Sequence, residues 1–216
     1  MAGFTPEEIA AIAREALNKT MTEELGKRIW RGSSDYASKS GPVELLVNTG
    51  IRNRAEMQSL MGLLRAAGID VYLISGSFKY VLETFAGPDS LGYNEPANHI
   101  FGLELEEKDG KFLPQMKKNG FRTYSIGKAE SIKRAFEGRG DPLLVCGDND
   151  NDYSMLTLPN TRLGLIINRL LKGKIDTLVQ QAKVQSNTDQ PRYIVQGYDQ
   201  NLGIFIPAKN TIPFQE

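Results

Sequence analysis

From residue 53 onward the chain switches repeatedly between helical and strand hydrophobic periods, and this switching most narrows its fold. Residues 53–67 put Met57, Leu60, Met61 and Leu64 on one helical face and stop at Gly68, suited to the left-handed position past a helix end. After it "IDVYLIS" reads as a buried strand and "FKYVLETFA" as a helix. Further on, "GKAESIKRAFEGRG" reads as a helix, "PLLVCG" as a strand, "DYSMLTL" as a short helix, "RLGLIIN" as a strand and "KGKIDTLVQQAKV" as a helix. Strands separated by helices build parallel sheets covered on both faces, with ligands held beyond the carboxyl ends of the strands. The expected class is therefore α/β with a doubly wound parallel sheet. One stretch departs from it: in "IFGLELEEKDGKFLPQM", Asp109-Gly110 joins two partly alternating runs and predicts a hairpin.

The first 48 residues read differently. "TPEEIAAIAREALNKT" carries Thr5 as N-cap, Pro6 at the first helical position and Glu8 completing a capping box, with Ile9, Ile12, Ala13 and Ala16 on one apolar face. A polar segment follows, with the only tryptophan, Trp30, before the short apolar run "VELLV" at 43–47. There is no internal repeat.

Of the 216 residues, 40% are hydrophobic, enough for a sizeable core. The 26 basic and 26 acidic residues balance, so no global field favours nucleic acid or an anionic membrane, and small molecules are the expected partners. One cysteine excludes an internal disulfide framework, and with a single histidine, His99, any metal chemistry has to be oxygen-based. No apolar run spans a bilayer and the start has no signal-peptide pattern, so the chain as written reads as soluble and cytoplasmic; a signal on a longer precursor would change that.

Three features fall where such a sheet places a site. Ser75-Gly76-Ser77 follows "VYLI" and offers a hydroxyl and free backbone N–H groups to an anion at the start of the next helix, or else a plain turn with a serine cap. Lys128 opens a helix against the dipole preference, which an anion or carboxylate in front of it would offset, or else it is a solvated surface lysine. "LLVCGDNDNDYSML" releases Asp148, Asp150 and Asp152 from a buried strand at Gly147. Carboxylates so close repel unless a hard cation draws them together, and Mg²⁺ takes a few carboxylate oxygens plus water and phosphate. Helix capping accounts for one of these aspartates, not three.

The ordered set "VYLISGS", "GKAESI" and "VCGDNDNDYSML" resembles motifs II, III and IV of the haloacid dehalogenase superfamily, in its phosphoserine phosphatase-like branch, with some similarity to the phosphorylcholine phosphatase type. The resemblance implies a Rossmann-like core and an Mg²⁺-dependent phosphatase acting on a small phosphorylated molecule. It assigns Ser75 and Gly76, with Lys128, to the phosphoryl group, Asp148 and Asp152 to Mg²⁺, and Asn151 to orienting groups near the phosphate. Asp150 falls at a variable position and is expected to be solvated. Cys146 and the aromatics Trp30, Tyr36 and Tyr93 are expected to pack rather than react.

The superfamily's first motif, Asp-x-Asp-x-Thr/Val, whose first aspartate attacks phosphorus, has no counterpart here; the only Asp-x-Asp pairs are those joining Asp148, Asp150 and Asp152. The resemblance therefore implies a helical cap remnant at 1–48 and a core at 49–216 lacking its first, central strand, inactive alone. A pseudophosphatase that binds a phosphorylated ligand or a protein is the alternative. Either "VELLVN" at 43–48 fills the central gap, bringing Asn48 and Thr49 near the nucleophile position, or an upstream fragment or second chain does.

Overall fold

The computed structural model describes residues 1–32, 41–88 and 90–214. It is a mixed α/β chain with six α-helices and ten strands among the described residues. Tyr36 lies outside them.

Helix α1 (Pro6–Thr22) starts as its sequence requires: the Thr5 hydroxyl accepts from Glu8 N at 3.2 Å and the Glu8 carboxylate from Thr5 N at 2.8 Å. Ile9 and Ala13 are buried, but Ile12 is 51% exposed, so the apolar face is narrower than its spacing predicts. Ile9 packs with Phe78 and Phe112 in a small cluster. The polar segment forms a strand, β1 (Gly26–Arg31), which pairs antiparallel with β2 (Glu44–Thr49) over its whole length. "VELLVN" thus does not fill a central gap. It is half of a hairpin whose Trp30, Leu45 and Leu46 are all more than half exposed.

Helix α2 (Ala55–Ala66) ends with Gly68 at φ 76°, its N–H on Arg65 O at 2.9 Å, as expected of a glycine past a helix end. Strand β3 (Leu73–Phe78) follows and pairs in parallel with β4 (Ile100–Leu103); between them runs α3 (Lys79–Ala86). Strands β5 (Leu105–Lys108) and β6 (Lys111–Met116) form the predicted hairpin, with Asp109 and Gly110 both at positive φ (52° and 74°). That two-residue turn matches the strand twist.

Helix α4 (Ile126–Ala135) leads to β7 (Leu144–Gly147), then the one-turn helix α5 (Tyr153–Leu156), β8 (Leu163–Asn168) and α6 (Lys174–Gln185). Two further strands, β9 (Tyr193–Asp199) and β10 (Ile204–Ile206), were not read from the sequence. The sheet order is β10-β9-β8-β7, parallel except for β10. Its core is Leu156, Ile166, Leu178 and neighbours.

The expected single sheet is in two pieces. Among the described residues β3 pairs only with β4, and β7 only with β8, so the two strands that lead into the site each keep a free edge. A cavity of about 510 Å³ lies between them, lined by Leu73 and Ile74 on one side and Leu144, Val145 and Cys146 on the other. Above it, at the carboxyl ends, a second cavity of about 680 Å³ holds the polar residues.

Candidate phosphate and metal site

The polar cavity is lined by Lys128, Asp148 and Asp152, brought together from α4 and the turn after β7, with Arg169 from the end of β8 and also Lys27, Arg54 and Tyr198. At its centre Lys128 Nζ donates to Asp152 Oδ1 at 2.5 Å, with the two side chains only 10% and 6% exposed. Lys128 sits in the first turn of α4, where the dipole disfavours a cation, and the carboxylate that offsets it is Asp152.

Asp152 is held by its own loop. Its Oδ2 accepts from Asp148 N at 2.8 Å and Asn149 N at 3.3 Å, while the Asn149 side chain accepts from Asn151 N at 2.8 Å. The turn closes this tightly because residue 147 is glycine: a Cβ there would stand 3.0 Å from Asp152 Cγ. Every oxygen of Asp152 is therefore engaged with a lysine or a backbone N–H. Its part is to fix Lys128 and the loop.

Asp148 is different. Its side chain is 36% exposed and faces the cavity; Oδ1 accepts from Asn149 Nδ2 at 2.5 Å and Oδ2 from Arg169 Nη1 at 3.0 Å. Arg169 was not singled out in the sequence, where an arginine after "IIN" carries no local signature. Asp150 is exposed but not merely solvated: its Oδ1 accepts from Ile175 N at 2.8 Å and caps the start of α6. The three aspartates thus differ in their partners: Asp152 holds Lys128 and two backbone N–H groups, Asp150 caps α6, and the more exposed Asp148 pairs with Asn149 and Arg169 beside the cavity.

The other predicted residues lie apart from this centre. Ser75 Oγ accepts from Ser77 N at 3.2 Å, and it is Ile74, not Ser75 or Gly76, that lines the cavity from β3. Gly76 abuts Tyr124, in the segment leading to Lys128, and Ser75–Ser77 continue strand β3 to Phe78 instead of forming the expected turn at the start of the next helix. Asn151 is exposed and does not line the cavity. Asn48 and Thr49 do line it, although β2 is not a central strand. Cys146 lines both cavities, and burial pushes its thiol up to about 11, away from nucleophilic use. Tyr93 is core, as expected of it, and His99 stacks on Tyr72 with Nδ1 at 2.9 Å from Val71 O.

The family model for haloacid dehalogenase-like hydrolases matches residues 4–157, which includes all three motif regions. The chain belongs to the haloacid dehalogenase-like hydrolases. Among solved structures, a conserved functionally unknown protein from Anaerococcus prevotii DSM 20548 is 30% identical with a TM-score of 0.88, over 100% of this chain and 56% of its own. The chain thus spans little more than half of that relative. A phosphoserine phosphohydrolase-like protein from Francisella tularensis subsp. tularensis SCHU S4 is 19% identical with a TM-score of 0.46, over 58% of this chain and 56% of its own. No curated protein matches.

Members of this family generally use Mg²⁺, and the residues here fit such an ion in a restricted way. Among the described residues no group of three His, Cys, Asp or Glu side chains stands together as a metal site. Asp148 is a hard oxygen donor facing the cavity, and Mg²⁺ keeps most of its shell as water and phosphate oxygen. One carboxylate suffices only if a phosphate supplies further oxygens.

Proposed function

We propose that this chain supplies the phosphate- and metal-facing part of an Mg²⁺-dependent phosphomonoester hydrolase of the phosphoserine phosphatase-like branch, acting on a small phosphorylated molecule. The observation that carries this is the buried Lys128–Asp152 pair at 2.5 Å, beside the half-exposed Asp148, at the carboxyl end of β7. A lysine ammonium kept in place by a carboxylate presents positive charge to phosphoryl oxygens at no cost of rearrangement. Mg²⁺, when bound at Asp148, would supply Lewis-acid charge to the same oxygens. Ser75 and Gly76, in the β3 segment next to Ile74, would have to turn towards the ligand to contribute to phosphate binding, since only Ile74 of β3 lines the cavity.

The nucleophile is what the chain lacks. The free edges of β3 and β7, and the apolar cavity between them, support the reading that a further strand, from an upstream fragment or a second chain, completes one doubly wound sheet. Residues 1–48, one helix followed by paired strands in place of an all-helical segment, then belong to the cap and 49–216 to the core, and the protein alone turns nothing over. No described helix is long and apolar enough to cross a membrane.

Calorimetry with inorganic phosphate in the presence of Mg²⁺, together with p-nitrophenyl phosphate hydrolysis, tests this. The expected result is phosphate binding that Lys128→Met abolishes, Mg²⁺ binding that Asp148→Asn weakens at least 10-fold with the fold intact, and no hydrolysis. Phosphate affinity unaffected by Lys128→Met would overturn the site; hydrolysis by the chain alone would overturn the missing nucleophile.

A further inference from the structure

The charges around the polar cavity do not balance. Four cationic side chains, Lys27, Arg54, Lys128 and Arg169, line it against two carboxylates, Asp148 and Asp152. Before any ligand enters, the cavity carries an excess of two positive charges. A phosphomonoester dianion offsets that excess, whereas a divalent cation alone doubles it, in a place partly withdrawn from water where such terms are large.

The one carboxylate open to a cation is also not free. Arg169 Nη1 lies 3.0 Å from Asp148 Oδ2, with the two side chains 32% and 36% exposed, so an incoming cation meets an ion pair. The backbone that carries Arg169 is fixed: its carbonyl accepts from Gln200 Nε2 at 3.0 Å, and the next residue, Leu170 at φ 57°, donates its N–H to Asn168 Oδ1 at 3.0 Å. With the backbone held, it is the guanidinium side chain that would move away from Asp148. A phosphate group in the same cavity gives it somewhere to go, because a guanidinium pairs with phosphate oxygens as readily as with a carboxylate.

Building on the phosphate and metal reading above, we infer that Arg169 is a latch on Asp148 that makes cation binding contingent on the anion. The phosphorylated ligand enters first, draws Arg169 from Asp148, and so opens that carboxylate to the divalent ion. By linkage the ion must tighten the anion by the same factor. Arg169 is a positioning residue in this scheme until it meets the phosphate.

The test is calorimetric and needs no turnover. Mg²⁺ is titrated into the wild-type chain with and without saturating inorganic phosphate, and phosphate is titrated with and without Mg²⁺. Phosphate is expected to bind without Mg²⁺, and to tighten Mg²⁺ at least 10-fold. In Arg169→Gln, Mg²⁺ alone is expected to bind about 10-fold more tightly than to wild type, with the coupling reduced to less than threefold; Arg169→Lys keeps the charge and retains the coupling. Equal Mg²⁺ affinity with and without phosphate in the wild type overturns the latch without recourse to a variant. If phosphate nonetheless binds through Lys128, the phosphate reading stands and only the latch falls. Absence of both Mg²⁺ and phosphate binding under every condition overturns both.

Discussion

The two parallel-stranded sheets among the described residues, β3-β4 and β10-β9-β8-β7, are built from similar apolar strands yet reach different degrees of burial. In the C-terminal sheet β8 has neighbours on both sides and α6 against it, and Ile166 is 0% exposed. In β3 every residue from Leu73 to Ser75 is only partly buried, although Ile74 packs against the same core. The difference lies not in the side chains but in the missing neighbour: a strand with one free edge leaves part of its apolar surface open.

This contrast can be broken by matched substitutions. Ile166→Ala should cost about 3–4 kcal/mol, since a fully enclosed side chain leaves a cavity that cannot collapse, and Ile74→Ala only about 1 kcal/mol. Urea denaturation reads both, and equal losses would show that the β3 side is as well packed as the other. Next in size is Lys128→Met, at about 3 kcal/mol in the same assay, because it strands the Asp152 carboxylate at 6% exposure. Asp150→Ala should lose the cap on α6, about 1 kcal/mol, whereas Asp148→Asn should move stability by less than about 0.5 kcal/mol and act on the cation instead. If Asp148→Asn proves the costlier of the two, the division of labour among the aspartates is wrong.

A pH-dependent effect belongs to Cys146, in β7. Its folded-state thiol titrates at about 11 because burial penalises the thiolate, while an unfolded thiol titrates at about 8.5. The folded chain therefore holds a proton that the unfolded chain releases, and stability should fall as pH rises from about 8.5 towards 11. Below that window the group contributes no pH dependence. Cys146→Ala should flatten the decline in pH-dependent thermal unfolding; an unchanged slope would place its cause elsewhere.

The sequence was most legible where local chemistry acts alone. The Thr5 box, the Gly68 stop and the Asp109-Gly110 turn are set by backbone conformations that few residues satisfy, and each formed where expected. So did the helices from Ala55 to Gln185, whereas β3 starts at Leu73 and runs on through Ser75–Ser77 to Phe78, and Ile100–Leu103, expected in the hairpin, pairs in parallel with β3 instead. Strand β1 was not read, since "GKRIWR" has no face that is consistently apolar and takes its conformation from pairing with β2. Ile12 shows the limit of periodicity: spacing gives a face but not how much of it a partner covers. At the site, Lys128 and the aspartates were found as types in an order, whereas the Arg169–Asp148 and Asp150–Ile175 contacts join residues 21 and 25 positions apart and have no local trace.

The unpaired edges of β3 and β7 have a consequence for the substance in the tube. A strand edge without a partner strand among the described residues, beside the exposed Leu143, is adhesive to any extended chain, including another molecule of the same kind. Purified material should therefore behave as a concentration-dependent associator, sharpest where salt masks its balanced charge, and its solubility would serve as a simple gauge of whether that gap has been closed.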